Sequence, residues 1–121
     1  MLRRLQLLRK NNPILGSWPV VSMPDLVDDY FSLTPKPRIE ISGVEGDIYE
    51  GIFSFGAQAG EMYGVLRDDL SCDLCYVFSF EGEDEGDEIH GPGIMRLLED
   101  NCLTGEWIYH HGDVLRVECR R

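Results

Sequence analysis

Cys102-Leu103-Thr104-Gly105-Glu106-Trp107-Ile108-Tyr109-His110-His111-Gly112-Asp113-Val114-Leu115-Arg116-Val117-Glu118-Cys119 reads as two strands and the turn that joins them. Leu103, Trp107 and Tyr109 share one face of the first strand, and Leu115, Val117 and Cys119 share one face of the second. A period of two marks a strand with one buried side. Gly112 can take the left-handed position of a three-residue hairpin over His110-His111-Gly112. Closing the chain there sets Trp107 opposite Leu115, Gly105 opposite Val117 and Leu103 opposite Cys119, so the two apolar faces coincide.

The same logic extends toward the N-terminus. A two-residue turn at Asp100-Asn101 sets Ile94 opposite Trp107, Leu98 opposite Leu103 and His90 opposite His111, adding Ile94 and Leu98 to the core face. Further upstream, Leu74, Tyr76, Phe78 and Phe80 also alternate onto one face. Seven strands are expected, over 38–43, 48–55, 61–67, 74–80, 91–98, 103–109 and 114–120. Strands so short, joined by short loops, are antiparallel, because parallel neighbours need crossover helices. The expected fold is all-β: an antiparallel meander closing into a small barrel or β-roll.

Residues 1–37 have a different texture and hold five of the six prolines. They read as a proline-containing segment with one or two short helices, ahead of a β domain over 38–121. One helix is expected to start at Ser22, with Pro24 in its first turn, Asp25 at the positive end of its dipole, and Leu26, Val27, Tyr30 and Phe31 on one face. It would close one end of the β domain. Leu2, Leu5 and Leu8 in the basic first decade suit a short amphipathic helix packed on the body. No apolar run has the length of a membrane span or a secretory signal, so a cytoplasmic location with reduced cysteines is expected; the acid-free, Leu-rich start gives a mitochondrial alternative.

Hairpin chemistry recurs in Tyr49-Glu50-Gly51, Phe80-Glu81-Gly82 and Leu103-Thr104-Gly105. Tyr49-Glu50-Gly51-Ile52-Phe53 with Gly56 and Gly60 is similar to one MORN repeat, a β-hairpin module, and Gly91, Gly93, Gly105 and Trp107 echo it. The recurrences are unevenly spaced, so they read as convergent turn chemistry and not as a tandem array.

Charge narrows the functions. The chain carries 22 Asp and Glu against 11 Lys and Arg, a net charge of −11. That balance opposes direct nucleic-acid binding, which draws its affinity from Lys and Arg on phosphates. It is also a polarity: Arg3, Arg4, Arg9, Lys10, Arg120 and Arg121 lie at the two ends, and the acids lie between. Six carboxylates crowd into 81–88, read as a hairpin loop. Lacking the spacing of a regular calcium loop, Glu83, Asp84, Glu85, Asp87 and Glu88 are candidates for contact with a basic partner.

Three histidines, His90, His110 and His111, gather at that same end in the expected register. Imidazole beside carboxylate suits proton transfer, so His90, His111, Glu106 and Asp87 are the candidate proton carriers if the protein is an enzyme. Cys72-Asp73-Leu74-Cys75 has the spacing of half a zinc site, but no second half follows, and its cysteines read as small buried hydrophobes. No metal and no cofactor is expected. There is no GxSxG, no P-loop and no GxGxxG.

Tyr49, Phe53, Tyr63, Tyr76, Phe78, Trp107 and Tyr109 are many rings for one small β domain. They either fill the core or line a pocket, in which case Tyr76, Phe78, Trp107 and Tyr109 are the ligand-binding candidates. The leading expectation is a non-enzymatic interaction module whose acidic segment meets a basic partner. The alternatives are a calycin-like barrel that binds, isomerises or cyclises a hydrophobic small molecule, and an acidic mimic of nucleic acid that inhibits a DNA-binding protein.

Overall fold

The computed structural model describes residues 13–67, 74–99 and 101–121. The proposed helix over Leu2, Leu5 and Leu8 lies outside them, as do Cys72 and Asp100. The described residues form eight strands, β1 (Gly16–Ser22), β2 (Arg38–Glu45), β3 (Ile48–Phe55), β4 (Gln58–Arg67), β5 (Leu74–Asp84), β6 (Asp87–Glu99), β7 (Cys102–Ile108) and β8 (Val114–Arg120), with one short helix, α1 (Asp28–Phe31). Each strand pairs antiparallel with the next, and β1 pairs with β8, so the meander closes into a barrel. Closure removes the free edges that an open sheet would present.

The pairing of β7 with β8 is the expected one: Leu103 faces Cys119, Gly105 faces Val117 and Trp107 faces Leu115. The pairing of β6 with β7 differs by one residue. Gly93 faces Trp107, Met95 faces Gly105 and Leu97 faces Leu103, and the ladder shifts between Leu97 and Glu99. A bulge at Leu98 absorbs the residue by which the simple two-residue turn was out. In consequence Met95 and Leu97 are buried, Ile94 is on the outer side and Leu98 is 56% exposed.

Three further expectations are corrected. The eighth strand is β1, which the prolines concealed: Pro19 points outward on β1 while Trp18 and Val20 alternate into the core. Ser22 ends that strand and does not cap a helix. Pro24 instead takes the second position of a turn in which the Leu26 amide donates to the Met23 carbonyl at 3.0 Å, and α1 begins at Asp28 with Asp29 beside it in the first turn. Finally, the acidic segment is not a loop. β5 runs to Asp84 and β6 starts at Asp87, leaving Glu85-Gly86 as a two-residue turn with φ of 53° and 91°. Positive φ at both central residues is the hairpin geometry whose twist matches the strands.

The interior is filled. Trp107 is the hub, with ring centroids of Phe78 at 4.9 Å, Phe55 at 5.4 Å, Phe53 at 5.7 Å and Phe80 at 6.1 Å. Eight strands enclose a space that side chains of this size can occupy. Glycines on the inner face make room for the rings and let the sheet curl. A Cβ on Gly60 would lie 2.2 Å from the Glu81 carbonyl, and one on Gly82 would lie 2.2 Å from that of Ala59. These two glycines face one another across β4 and β5.

Candidate functional site

One end of the barrel is open. The β3–β4, β5–β6 and β7–β8 turns surround it, and the segment from Asp25 to Tyr30 lies across it. Between them is a cleft of about 610 Å³, with apolar walls from Leu26, Val27, Ile89, Val114 and Leu115 and polar groups from Asp25, Tyr30, Gln58, Asp84, Tyr109, His111 and Asp113. Polar groups converging on a partly apolar recess can orient a small molecule.

Two contacts hold the covering segment in place. Arg116 donates to Asp25 from its backbone amide at 2.9 Å, from Nε at 3.1 Å and from Nη2 at 3.0 Å. That fork holds the Asp25 carboxyl below the usual carboxylate range and raises the Arg116 guanidinium in turn. On the other side the Tyr30 ring lies on Gly56, where a Cβ would come within 2.2 Å of it, and the Thr34 hydroxyl donates to the Gly56 carbonyl. With φ of 57°, Gly56 takes a left-handed turn position and leaves a seat for the ring.

Two polar pairs meet there. The Tyr109 hydroxyl donates to Gln58 Oε1, and the Tyr30 hydroxyl donates to Asp84 Oδ1 at 2.7 Å. Burial, followed by the bond to Asp84, pushes the Tyr30 phenol up to about 12. Burial also raises the Tyr109 phenol. Gln58 is 5% exposed, a buried amide whose oxygen is satisfied inside the chain. It sits at the first residue of β4 in phase with Met62, so its side chain enters the barrel.

Among the candidate proton carriers, His111 lines the cleft and bonds Asp113 through Nε2 at 2.8 Å. The three histidines do gather: His90 stacks on His110 at 4.1 Å, and His110 meets His111 edge-on at 5.2 Å. His90 lies beside His110 and not His111, the same one-residue shift as in the β6–β7 ladder. It faces the outer surface with Glu61, Glu81 and Glu83. Glu106 is on the outer wall with Arg96 Nη1 at 3.5 Å, and Asp87 stands at the hairpin tip opposite Asp84.

Of the candidate ligand-binding rings, Tyr109 reaches the cleft. Tyr76, Phe78 and Trp107 are enclosed in the core, and Tyr76 donates to the Tyr49 carbonyl at 2.8 Å. Tyr63 points out of the barrel. Cys119 is buried opposite Leu103, its thiol pushed up to about 12 by burial and by Cys102 nearby. Among the described residues no group of three or more His, Cys, Asp and Glu is placed to hold a metal ion, and no helix is long and apolar enough to cross a membrane.

The acidic residues form an outer face. Glu61 stands directly opposite Glu81, Glu83 opposite Glu88 and Asp84 opposite Asp87. Glu61, Glu81, Glu83, Glu85, Asp87 and Glu88 are exposed, whereas Asp84 turns toward the cleft.

Sequence reasoning missed Tyr30, Gln58 and Asp25. A signal existed for Gln58: a polar residue in the inward phase of a strand, two before Gly60 and four before Met62. No protein-family model matches the chain, and no curated protein is significantly similar to it.

Proposed function

We propose that the protein is a small β-barrel that binds a small molecule at its open end. The observation that carries this reading is the cleft itself, with the Tyr109–Gln58 and Tyr30–Asp84 pairs set in a partly apolar wall. Polar groups taken from water are costly unless paired, and these pairs turn toward a recess of ligand size. Binding is favoured over isomerisation or cyclisation, because His90, Glu106 and Asp87 stand outside the cleft. The test is a titration with the neutral apolar fluorophore N-phenyl-1-naphthylamine. One saturable site is expected in the wild-type chain and none in Val114→Trp, which fills the cleft from a half-exposed position. Absence of saturable binding, or equal binding by the variant, defeats the reading.

A second reading keeps the acidic face as a docking surface for a basic partner, such as the DNA-contacting face of another protein. It is supported by three like-charged pairs placed directly opposite one another, an arrangement that destabilises a sheet. Neutralising Glu83, Asp84, Asp87 and Glu88 together is expected to abolish salt-sensitive binding of a defined basic protein such as protamine. Binding that survives the four substitutions removes this reading.

A further inference from the structure

The cleft carries a charge imbalance that specifies its ligand. Three carboxylates, Asp25, Asp84 and Asp113, lie on its walls. Asp25 is engaged by the Arg116 fork, and Asp113 is bonded to the His111 ring. Asp84 differs. The one hydrogen bond to its carboxylate among the described residues comes from the neutral Tyr30 hydroxyl, on Oδ1, and no cation among them lies within ion-pair distance of it. Its strand neighbours intensify the imbalance, since Asp87 stands opposite on β6 and Glu83 and Glu85 flank it.

The one hydroxyl that the Asp84 carboxylate accepts is neutral, so it leaves the charge uncompensated. A neutral ligand gains no more there than it would on any polar wall. An anionic ligand would meet the uncompensated Asp84 carboxylate in a body of net charge −11. A cation would complete the site: Asp84 Oδ2 accepts its proton, and the Leu26, Val27, Ile89 and Leu115 walls cover an apolar body.

Resting on the proposed binding function, we infer that the ligand is an organic cation, a protonated amine with an apolar body, for which Asp84 is the counter-ion.

Three probes that share ring and chain but differ in end charge test this: tryptamine, tryptophol and indole-3-propionate. Each is titrated by calorimetry into the full chain, and amide shifts of Tyr30, Ile89 and Val114 locate the binding. Tryptamine is expected to bind at least tenfold more tightly than tryptophol, with indole-3-propionate weakest. Asp84→Asn is expected to bring tryptamine to the level of tryptophol. Tyr30→Phe, which keeps the carboxylate, is expected to retain the preference, so the result survives if the first variant folds poorly. Equal affinity for amine and alcohol at the same amides overturns the inference while leaving the cleft as a binding site. If no probe moves those amides, this inference fails; the fluorophore titration then decides whether the binding reading fails with it.

Discussion

The two ends of this barrel solve the same problem in opposite ways. At the closed end Ile14, Trp18, Leu74, Leu97, Leu103 and Cys119 are buried, and the Trp18 indole donates to the Ile14 carbonyl at 2.8 Å. The Arg121 guanidinium lies 3.8 Å over the Trp18 ring and donates to the Leu15 carbonyl at 2.8 Å and to that of Pro13. The Trp18 and Arg121 donors there are consumed on backbone carbonyls. At the open end the polar side chains bond one another, Tyr109 to Gln58 and Tyr30 to Asp84, and leave a carboxylate on the cleft wall. The difference teaches where stability and chemistry reside. Apolar burial, which dominates folding free energy, runs from the closed end to the Phe55, Phe80 and Trp107 rings beneath the cleft, and the polar groups that can recognise a ligand are set over it at the open end.

The sharpest way to break that division is Trp18→Ala. Trp18 is fully buried, so the substitution removes a large ring, empties the closed end and leaves Arg121 without its stacking partner. A loss of about 4 kcal/mol is expected from urea unfolding, in the range for large buried rings cut to Ala. The β5–β6 hairpin at the other end should retain its amide protection until global unfolding. A loss below about 1 kcal/mol would mean that the closed end is not the stabilising one.

A smaller effect tests the open end. Tyr109→Phe deletes the hydroxyl that satisfies Gln58 Oε1 and keeps the ring on Phe80, whose centroid lies 5.2 Å away. Leaving one buried amide oxygen without its donor costs about 1–2 kcal/mol. Gln58→Leu with Tyr109→Phe should recover part of that cost, because removing both partners of a buried bond is milder than removing one. Strict additivity of the two substitutions would show that they do not form a unit. Measured against Trp18→Ala, the pair calibrates how much of the fold depends on the polar end.

What could be read from the sequence follows the same geography. The β7–β8 register was legible because Gly112 fixed the turn and both flanking strands alternate cleanly. The β6–β7 register was not, since a bulge at Leu98 has no residue signature of its own and an apolar residue occupies both phases there. β1 was hidden by Pro19, which β1 tolerates on its outward side. Charge density made 81–88 look like a loop, although the alternation of Glu81 and Glu83 with Gly82 and Asp84 is that of a strand. At the site, Tyr109 and His111 were found on the strand and turn that decided the fold. Tyr30 and Asp25 escaped because they reach the cleft from a segment of little regular structure, and their placement depends on Gly56 and Arg116, distant in sequence.

The smallest expected effect separates the two ends by pH. In the folded chain the Tyr30 phenol is raised to about 12 from an ordinary value of 10, so folding favours its neutral form. An acid held neutral in this way contributes stability that is fully present below pH 10 and is lost as pH rises through about 12. Tyr76, deeper in the barrel, is shifted the same way by burial, and Tyr109 as well. Wild-type protein should therefore lose stability steeply above pH 10, with phenolate absorbance near 295 nm following the unfolding signal. Tyr30→Phe is expected to cost about 1 kcal/mol at pH 7, the net worth of one hydrogen bond. Between pH 10 and 12 its stability curve should be shallower than that of the wild type, because one titrating group is gone. Tyr76→Phe should flatten the same window and leave ligand binding at the mouth unaltered. If the Tyr30→Phe curve superimposes on the wild-type curve over that window, the Tyr30 phenol is not buried against Asp84 in solution, and the open end loses one of the links that join its covering segment to the barrel.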